Sequence, residues 1–159
     1  MGIREDNKWL VTGSCLFDNH SFFSPEDFED EEELISRTTE QFVKNDIIPT
    51  LESIEQHDYN VTRKLFAQVG ELGLLGVDVP EAYGGVSLGK KVSGLVAEKM
   101  GYGGSFSISF NIHAGVGTLP YVYYGTEEQK QRILPKLVSG EWIAGYALTE
   151  PNAGSDALQ

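Results

Sequence analysis

Thr149 and Ser155 are the side chains whose type and setting could hold a ligand. The run before them, Trp142-Ile143-Ala144-Gly145-Tyr146-Ala147-Leu148, is short, apolar and aromatic, the pattern of a buried strand. Pro151 removes a backbone donor and steers Glu150 away from helical angles. Asn152, Gly154 and Asp156 favour tight turns that leave main-chain N–H groups pointing outward. A strand end presenting Thr149, then a loop presenting Ser155 and free amides, offers donors to the polar edge of a ring and to phosphate oxygens, as a bound nucleotide requires. The same residues also suit an ordinary strand-to-turn connection in which Thr, Ser and Asp only cap their own backbone.

Other reactive side chains are sparse. His113 lies in residues 101–125, a stretch without Asp, Glu, Lys or Arg, and this apolar context reads it as a hydrogen-bonded packing residue rather than a catalyst. His20 has no second His, Cys or carboxylate at metal spacing and reads as a surface residue. The lone Cys15 can build neither an intrachain disulfide nor a thiolate cluster, which suits a reducing compartment. The acidic run Glu26 to Glu33, interrupted by Phe28, lacks the alternate-position ligands and turning glycine of a calcium loop, and reads as a solvated helix start. No catalytic or metal-ligating residue is therefore assigned. Twelve Lys and Arg stand against 24 Asp and Glu, a net charge of −12 that repels phosphate backbones and anionic membranes and argues against nucleic-acid binding. In residues 1–25, Trp9-Leu10-Val11 is too brief for a signal-peptide core and has acids around it where a transit peptide avoids them, so a cytoplasmic location is expected. Trp9, Leu16, Phe17, Phe22 and Phe23 are too apolar for a free tail, and the extension is expected to lie against the body of the protein or a neighbouring subunit.

The elements that must position Thr149 and Ser155 read mainly as helices. Ser24-Pro25-Glu26-Asp27 has the form of a helix start, and Phe28, Leu34, Ile35, Thr38, Phe42, Val43 and Ile47 recur at helical spacing until Pro49 stops the run. Asn60 is the expected cap of a second helix carrying Leu65, Phe66, Val69, Leu72 and Leu75 toward Gly73 and Gly76. Val77 to Gly85 is an ordered turn broken by Pro80 and paired glycines. Lys91 to Met100 gives a third helix with Val92, Leu95, Val96 and Met100 on one side. Residues 101–125 are long enough to span a membrane, yet Ser105, Ser107, Ser109, Asn111, Pro120 and many glycines predict a buried helix of a soluble domain, ending at Gly125. Ser109, Ala114, Gly115 and Gly117 keep parts of its surface low enough for a backbone or ligand to approach. Thr126-Glu127-Glu128-Gln129 starts the last helix, with Ile133, Leu134, Leu137 and Val138 as its buried stripe. The expected fold is all-α: about five main helices over residues 26–140, after the extension at 1–25 and before the strand and loop at 141–159.

Three collinear blocks carry a family likeness. Ala147, Leu148, Thr149, Glu150, Ala153, Gly154, Ser155 and Asp156 match the first signature of the acyl-CoA dehydrogenases, and the chain resembles that family there; Gln159 stands where the signature continues with a small residue. Glu71-Leu72-Gly73-Leu74-Leu75-Gly76, followed by Val79-Pro80-Glu81 and Tyr83-Gly84-Gly85, is similar to the family's N-terminal domain. So is Gly125-Thr126-Glu127 with Gln129-Lys130, Leu134-Pro135-Lys136-Leu137 and Ser139-Gly140-Glu141. The resemblance covers about residues 26 to 156, and the aromatic extension is similar to that of the long-chain members.

The resemblance implies FAD as cofactor. Tyr146, Leu148 and Thr149 would face the flavin ring, with Thr149 hydrogen-bonding its pyrimidine edge. Ser155 would meet the flavin pyrophosphate and the acyl-CoA, and the helix carrying Ser109 and Val116 would wall the fatty-acyl pocket. It implies α,β-dehydrogenation of acyl-CoA thioesters of the fatty-acid β-oxidation type, with the β-hydrogen leaving as hydride to the flavin and an electron-transfer flavoprotein as acceptor. The strand at 141–159 would open a truncated β-domain. The catalytic Glu would lie in a part of the family's length beyond this one, so the fragment alone is expected to be inactive, the full-length protein a tetramer or dimer, and Glu150 a loop-ordering residue. Two other readings remain beside it: an acyl-CoA oxidase, and a non-catalytic helical module that binds a partner through its small-residue helix.

Overall fold

The computed structural model describes residues 28–157. Helix α1 (Asp30–Phe42) opens with Asp30, Glu31, Glu32 and Glu33 at the positive end of its dipole, and Glu32 Oε2 accepts the Glu29 N–H at 2.9 Å. The start expected at Ser24 to Asp27 lies outside the described residues, as do His20, Cys15 and the aromatic extension. Phe28, expected on the helix, precedes it instead, with the Lys91 ammonium 5.4 Å from its ring centre.

Pro49 does not end the run. After α1 the ladder widens to a π turn (Val43–Ile47), tightens to a 3-10 turn (Ile48–Thr50) and resumes as α2 (Leu51–Glu55). Proline is tolerated because it sits in the first turn of a new segment, where an N–H would have no helical partner. Thr50 Oγ1 donates to the Asp46 and Ile47 carbonyls across the change of pitch, at 2.9 Å each.

Helix α3 (Tyr59–Glu71) is capped by Asp58, not by Asn60: the carboxylate accepts the N–H groups of Asn60 at 3.0 Å and Val61 at 3.4 Å. An ionised carboxylate is the stronger acceptor, and its place one residue before the helix lets a single oxygen serve two orphan donors. Leu65, Phe66 and Val69 are buried as expected, whereas Leu72, beyond the last turn, is exposed. Helix α4 (Gly89–Met100) buries Val92, Leu95, Val96 and Met100 as the spacing predicts and lies along α1, with Lys91 and Glu32 paired at 2.6 Å.

The single buried helix expected over 101–125 is divided. A 3-10 turn (Gly101–Gly103) leads into α5 (Ser105–Ile112), a π turn follows (His113–Gly117), and α6 (Leu119–Tyr124) takes Pro120 into its first turn. The wider π turn shifts the helical register. Phe106, Phe110 and His113 face inward, while Ile108, Ile112 and Val116 are left on the outside. Helix α7 (Glu127–Val138) begins with the expected cap, the Thr126 N–H donating to Gln129 Oε1 at 2.8 Å and the Gln129 N–H to Thr126 Oγ1 at 3.3 Å. Leu134, Leu137 and Val138 are buried and Ile133 half-buried.

The fold is all-α, and among the described residues the helices of eight residues or more are α1, α3, α4, α5 and α7. The main core joins α1, α3, α4 and α5, with Phe66 of α3 and Phe106 of α5 at 5.2 Å between ring centres, and a smaller cluster of Val79, Leu134 and Val138 seats α7 on the 77–85 turn. No described helix is long and apolar enough to cross a membrane.

Candidate functional site

The segment after α7 is positioned by the helical body. Trp142 N–H donates to the Lys136 carbonyl at 3.0 Å, and the Lys136 ammonium lies 4.5 Å from the Trp142 ring centre. Two residues on, the Ala144 N–H donates to His113 Nδ1 at 2.9 Å, and the other ring nitrogen, Nε2, meets the Leu137 carbonyl at 3.0 Å. Ala144 also presses on Gly117: a Cβ there would lie 2.7 Å from the Ala144 Cβ and 3.1 Å from the Ile112 carbonyl. The π turn thus supplies both a polar anchor and a bare patch of backbone on which the segment rests.

The strand expected over Trp142–Leu148 is not formed among the described residues. A strand is a paired element, and among the described residues no segment pairs with this one; the β-pairing present is the Glu150–Ala153 bridge. Nor is the segment buried. Trp142, Ile143, Tyr146 and Leu148 are all exposed, Tyr146 at 57% and Leu148 at 51%, because the apolar side chains that mark a buried strand have no layer packed over them here.

Beyond Leu148 the chain turns sharply. Glu150 N–H donates to the Ala153 carbonyl at 2.9 Å, and Ala153 N–H returns to the Glu150 carbonyl at 3.2 Å. Two of the loop's amides are therefore spent on the turn itself. Those of Gly154, Ser155 and Asp156 make no backbone hydrogen bond among the described residues, and the hydroxyls of Thr149 and Ser155, both exposed, have no partner there either. Glu150 orders the loop through its main chain.

Tyr146 and Val116 come together. With Gly115, Leu119, Pro120 and the Tyr123 and Tyr124 rings they line an open apolar hollow of about 300 Å³. Leu148, Thr149 and Ser155 lie outside it, farther along the exposed segment. Ser109 is half-buried on α5; Ile108 and Ile112 of that helix and Val116 of the π turn are exposed at four-residue intervals, Ile108 at 62% and Val116 at 48%. On the other side of the segment, a cleft of about 630 Å³ runs between Arg63, Tyr121, Ile133, Leu137 and residues 140–145.

His113 is wholly buried, and burial is the main cause that pushes its pKa below the ordinary 6.5, against the opposing pull of the Leu137 hydrogen bond. Packing and hydrogen bonding were legible from its apolar surroundings. Its part in anchoring the segment after α7 was not, and the signal for it is a lone imidazole in an otherwise uncharged stretch directly before a chain of small residues.

Residues 29–141 match the family model described as the acyl-CoA dehydrogenase, N-terminal domain. A probable acyl-CoA dehydrogenase of Bacillus subtilis is 52% identical over 136 residues, which make up 86% of this chain and 23% of that protein. A second probable acyl-CoA dehydrogenase of the same organism, YngJ, is 40% identical over 129 residues, 80% of this chain and 33% of that one. Among solved structures, the acyl-CoA dehydrogenase of Bacillus anthracis complexed with FAD superposes with a TM-score of 0.86 at 50% identity, over 92% of this chain and 26% of that one. The chain therefore spans about a quarter to a third of the length of the relatives it matches.

Proposed function

This chain belongs to the acyl-CoA dehydrogenase family, through its N-terminal domain, and from that premise we propose that it is the N-terminal part of a longer FAD-dependent acyl-CoA dehydrogenase. One observation carries the reading. The exposed hydroxyls of Thr149 and Ser155 and the unused amides of Gly154, Ser155 and Asp156 follow a segment anchored to the helical body, whose Tyr146 shares an open hollow with Val116, one of the uncovered apolar residues Ile108, Ile112 and Val116. Soluble proteins rarely leave large apolar side chains contiguous and bare, so such a surface calls for a ligand or a covering layer.

The residues fit the cofactor. When bound, FAD supplies the acceptor for the hydride lost from the β-carbon of an acyl-CoA thioester. Thr149 would donate to the pyrimidine edge, where negative charge builds on reduction, and such a donor stabilises that charge most when already fixed in place. Tyr146 and Leu148 would screen the ring from water, and Ser155 with its neighbouring amides would hold the pyrophosphate and reach the acyl-CoA. Ser109 and Val116 would wall the acyl chain. Residues 26–140 form the helical domain in this reading and residues 141–159 open a β-domain. Proton removal from the α-carbon belongs to a carboxylate outside this chain, so the 159 residues alone would be inactive. An electron-transfer flavoprotein is the proposed acceptor, the assembled protein a dimer or tetramer, fatty-acid β-oxidation its setting and the cytoplasm its location.

The test uses the protein expressed from its complete gene. Denaturation is expected to release FAD, and anaerobic addition of a straight-chain acyl-CoA to bleach the bound flavin, with reoxidation faster by an electron-transfer flavoprotein than by oxygen. A protein that carries no flavin overturns the proposal; one reoxidised faster by oxygen is an oxidase instead.

A further inference from the structure

An amide N–H can only donate, so the 2.9 Å contact from Ala144 N fixes His113 Nδ1 as an acceptor. The ring proton must then sit on Nε2, where it donates to the Leu137 carbonyl at 3.0 Å. Two main-chain partners from different parts of the chain therefore select one neutral tautomer. The Phe66 ring meets the imidazole nearly edge-on at 5.2 Å, and Thr118 Oγ1 closes the π turn by donating to the His113 carbonyl at 2.7 Å, so the ring is held from several sides. From Gly145 to Thr149 no main-chain amide is hydrogen-bonded to backbone among the described residues. Ala144 is thus the last anchored residue before the Glu150–Ala153 turn.

We infer that His113 is a positioning residue, a neutral imidazole that latches the segment leading to Thr149 and Ser155 onto the end of α7, and that protonation opens the latch. An imidazolium donates from both nitrogens, so Nδ1–H would meet the Ala144 N–H donor to donor and the contact would be lost. The charged groups on the elements packed against it are Arg63, Lys64 and Glu71 on α3; Glu127, Glu128, Lys130, Arg132 and Lys136 on α7; and Glu141 beyond it. The tyrosines Tyr121, Tyr123 and Tyr124 lie on α6, and α5 carries no ionisable side chain. None of them is hydrogen-bonded to the ring among the described residues, so no carboxylate stands by to stabilise the cation. Burial opposes protonation in the same sense. The folded pKa lies below that of the unfolded chain. The latch's contribution is therefore complete above the ordinary 6.5, declines as pH falls through it, and levels off only below the depressed folded value. Its consequence for the cofactor rests on the flavin reading above; the latch itself does not.

The test is nuclear magnetic resonance on the isotope-labelled 159-residue chain. Long-range proton–nitrogen correlations are expected to show the Nε2–H tautomer above pH 6.5, with the Ala144 amide exchanging at least about tenfold more slowly than that of Gly145. In His113→Leu, whose side chain offers Ala144 no acceptor while the Leu137 carbonyl still accepts the Gly140 N–H, that difference is expected to vanish while the α4 amides keep their protection. Should the variant fail to fold, acid titration of the unaltered chain decides, since Ala144 must lose protection in step with His113 protonation. An Nδ1–H tautomer, or an Ala144 amide exchanging as fast as Gly145 above pH 6.5, overturns the inference. A latch intact in a protein without flavin upholds it and removes only the flavin reading.

Discussion

Replacing Phe66 by alanine is expected to lower the unfolding free energy by about 3–5 kcal/mol, the range for deleting a wholly buried aromatic ring. Phe66 has no exposed surface and its ring stands between two others, Phe106 at 5.2 Å and the His113 imidazole at the same distance. The hole cannot collapse easily, because both neighbours are themselves tied down, Phe106 in the core and His113 by its two hydrogen bonds. A domain of this size has roughly 5–15 kcal/mol in hand, so the variant would remain folded only marginally. In urea the midpoint should fall at unchanged slope. A loss below about 1 kcal/mol would mean that the ring is not central to the core. The same substitution frees one face of His113, so its cost should not add to that of His113→Leu, as expected of residues in contact.

Gly140→Ala is expected to cost about 2–4 kcal/mol, although it adds one methyl group. Gly140 ends α7 with φ of +73°, a left-handed conformation that an L side chain resists, and its Cβ would lie 2.4 Å from the Phe66 carbonyl oxygen. The obstacle is main chain of α3, which cannot swing aside. The two penalties arise together because the chain must turn out of α7 while passing directly over α3, and that crossing aims residues 142–144 at His113. Gly94, inside α4 with nothing within 4 Å of its would-be Cβ, provides the contrast: alanine there should raise stability by about 0.5–1 kcal/mol. Thermal or urea unfolding of both variants checks the pair, and equal effects would contradict the account.

The sequence carried the helices best where the signal was local. α4 is legible because four apolar residues at helical spacing are all buried, and α7 because Thr126 and Gln129 satisfy each other's backbone within four residues. Pro49 misled because a proline is a helix breaker only inside a continuous ladder, and the preceding π turn had already ended that ladder. Asn60 and Asp58 are both good caps, and only the backbone angles of Asp58 decide between them. The strand at 142–148 could not be settled locally at all, since a strand is defined by what pairs with it. At the candidate site the residue types of Thr149, Ser155 and the small residues were readable, but the anchor was not. Both partners of His113 are main-chain atoms, 24 and 31 positions away, and main-chain atoms leave no mark in residue type.

The central claim is that the exposed loop from Tyr146 to Asp156 grips a flavin nucleotide. Its most direct measurement is the FAD dissociation constant of the protein expressed from its complete gene, compared among the natural sequence, Thr149→Val and Ser155→Ala. Each loses one donor without changing the fold, so FAD should bind about 3- to 10-fold more weakly in either variant at unchanged thermal stability of the apoprotein. Binding that is the same in all three proteins would contradict the account.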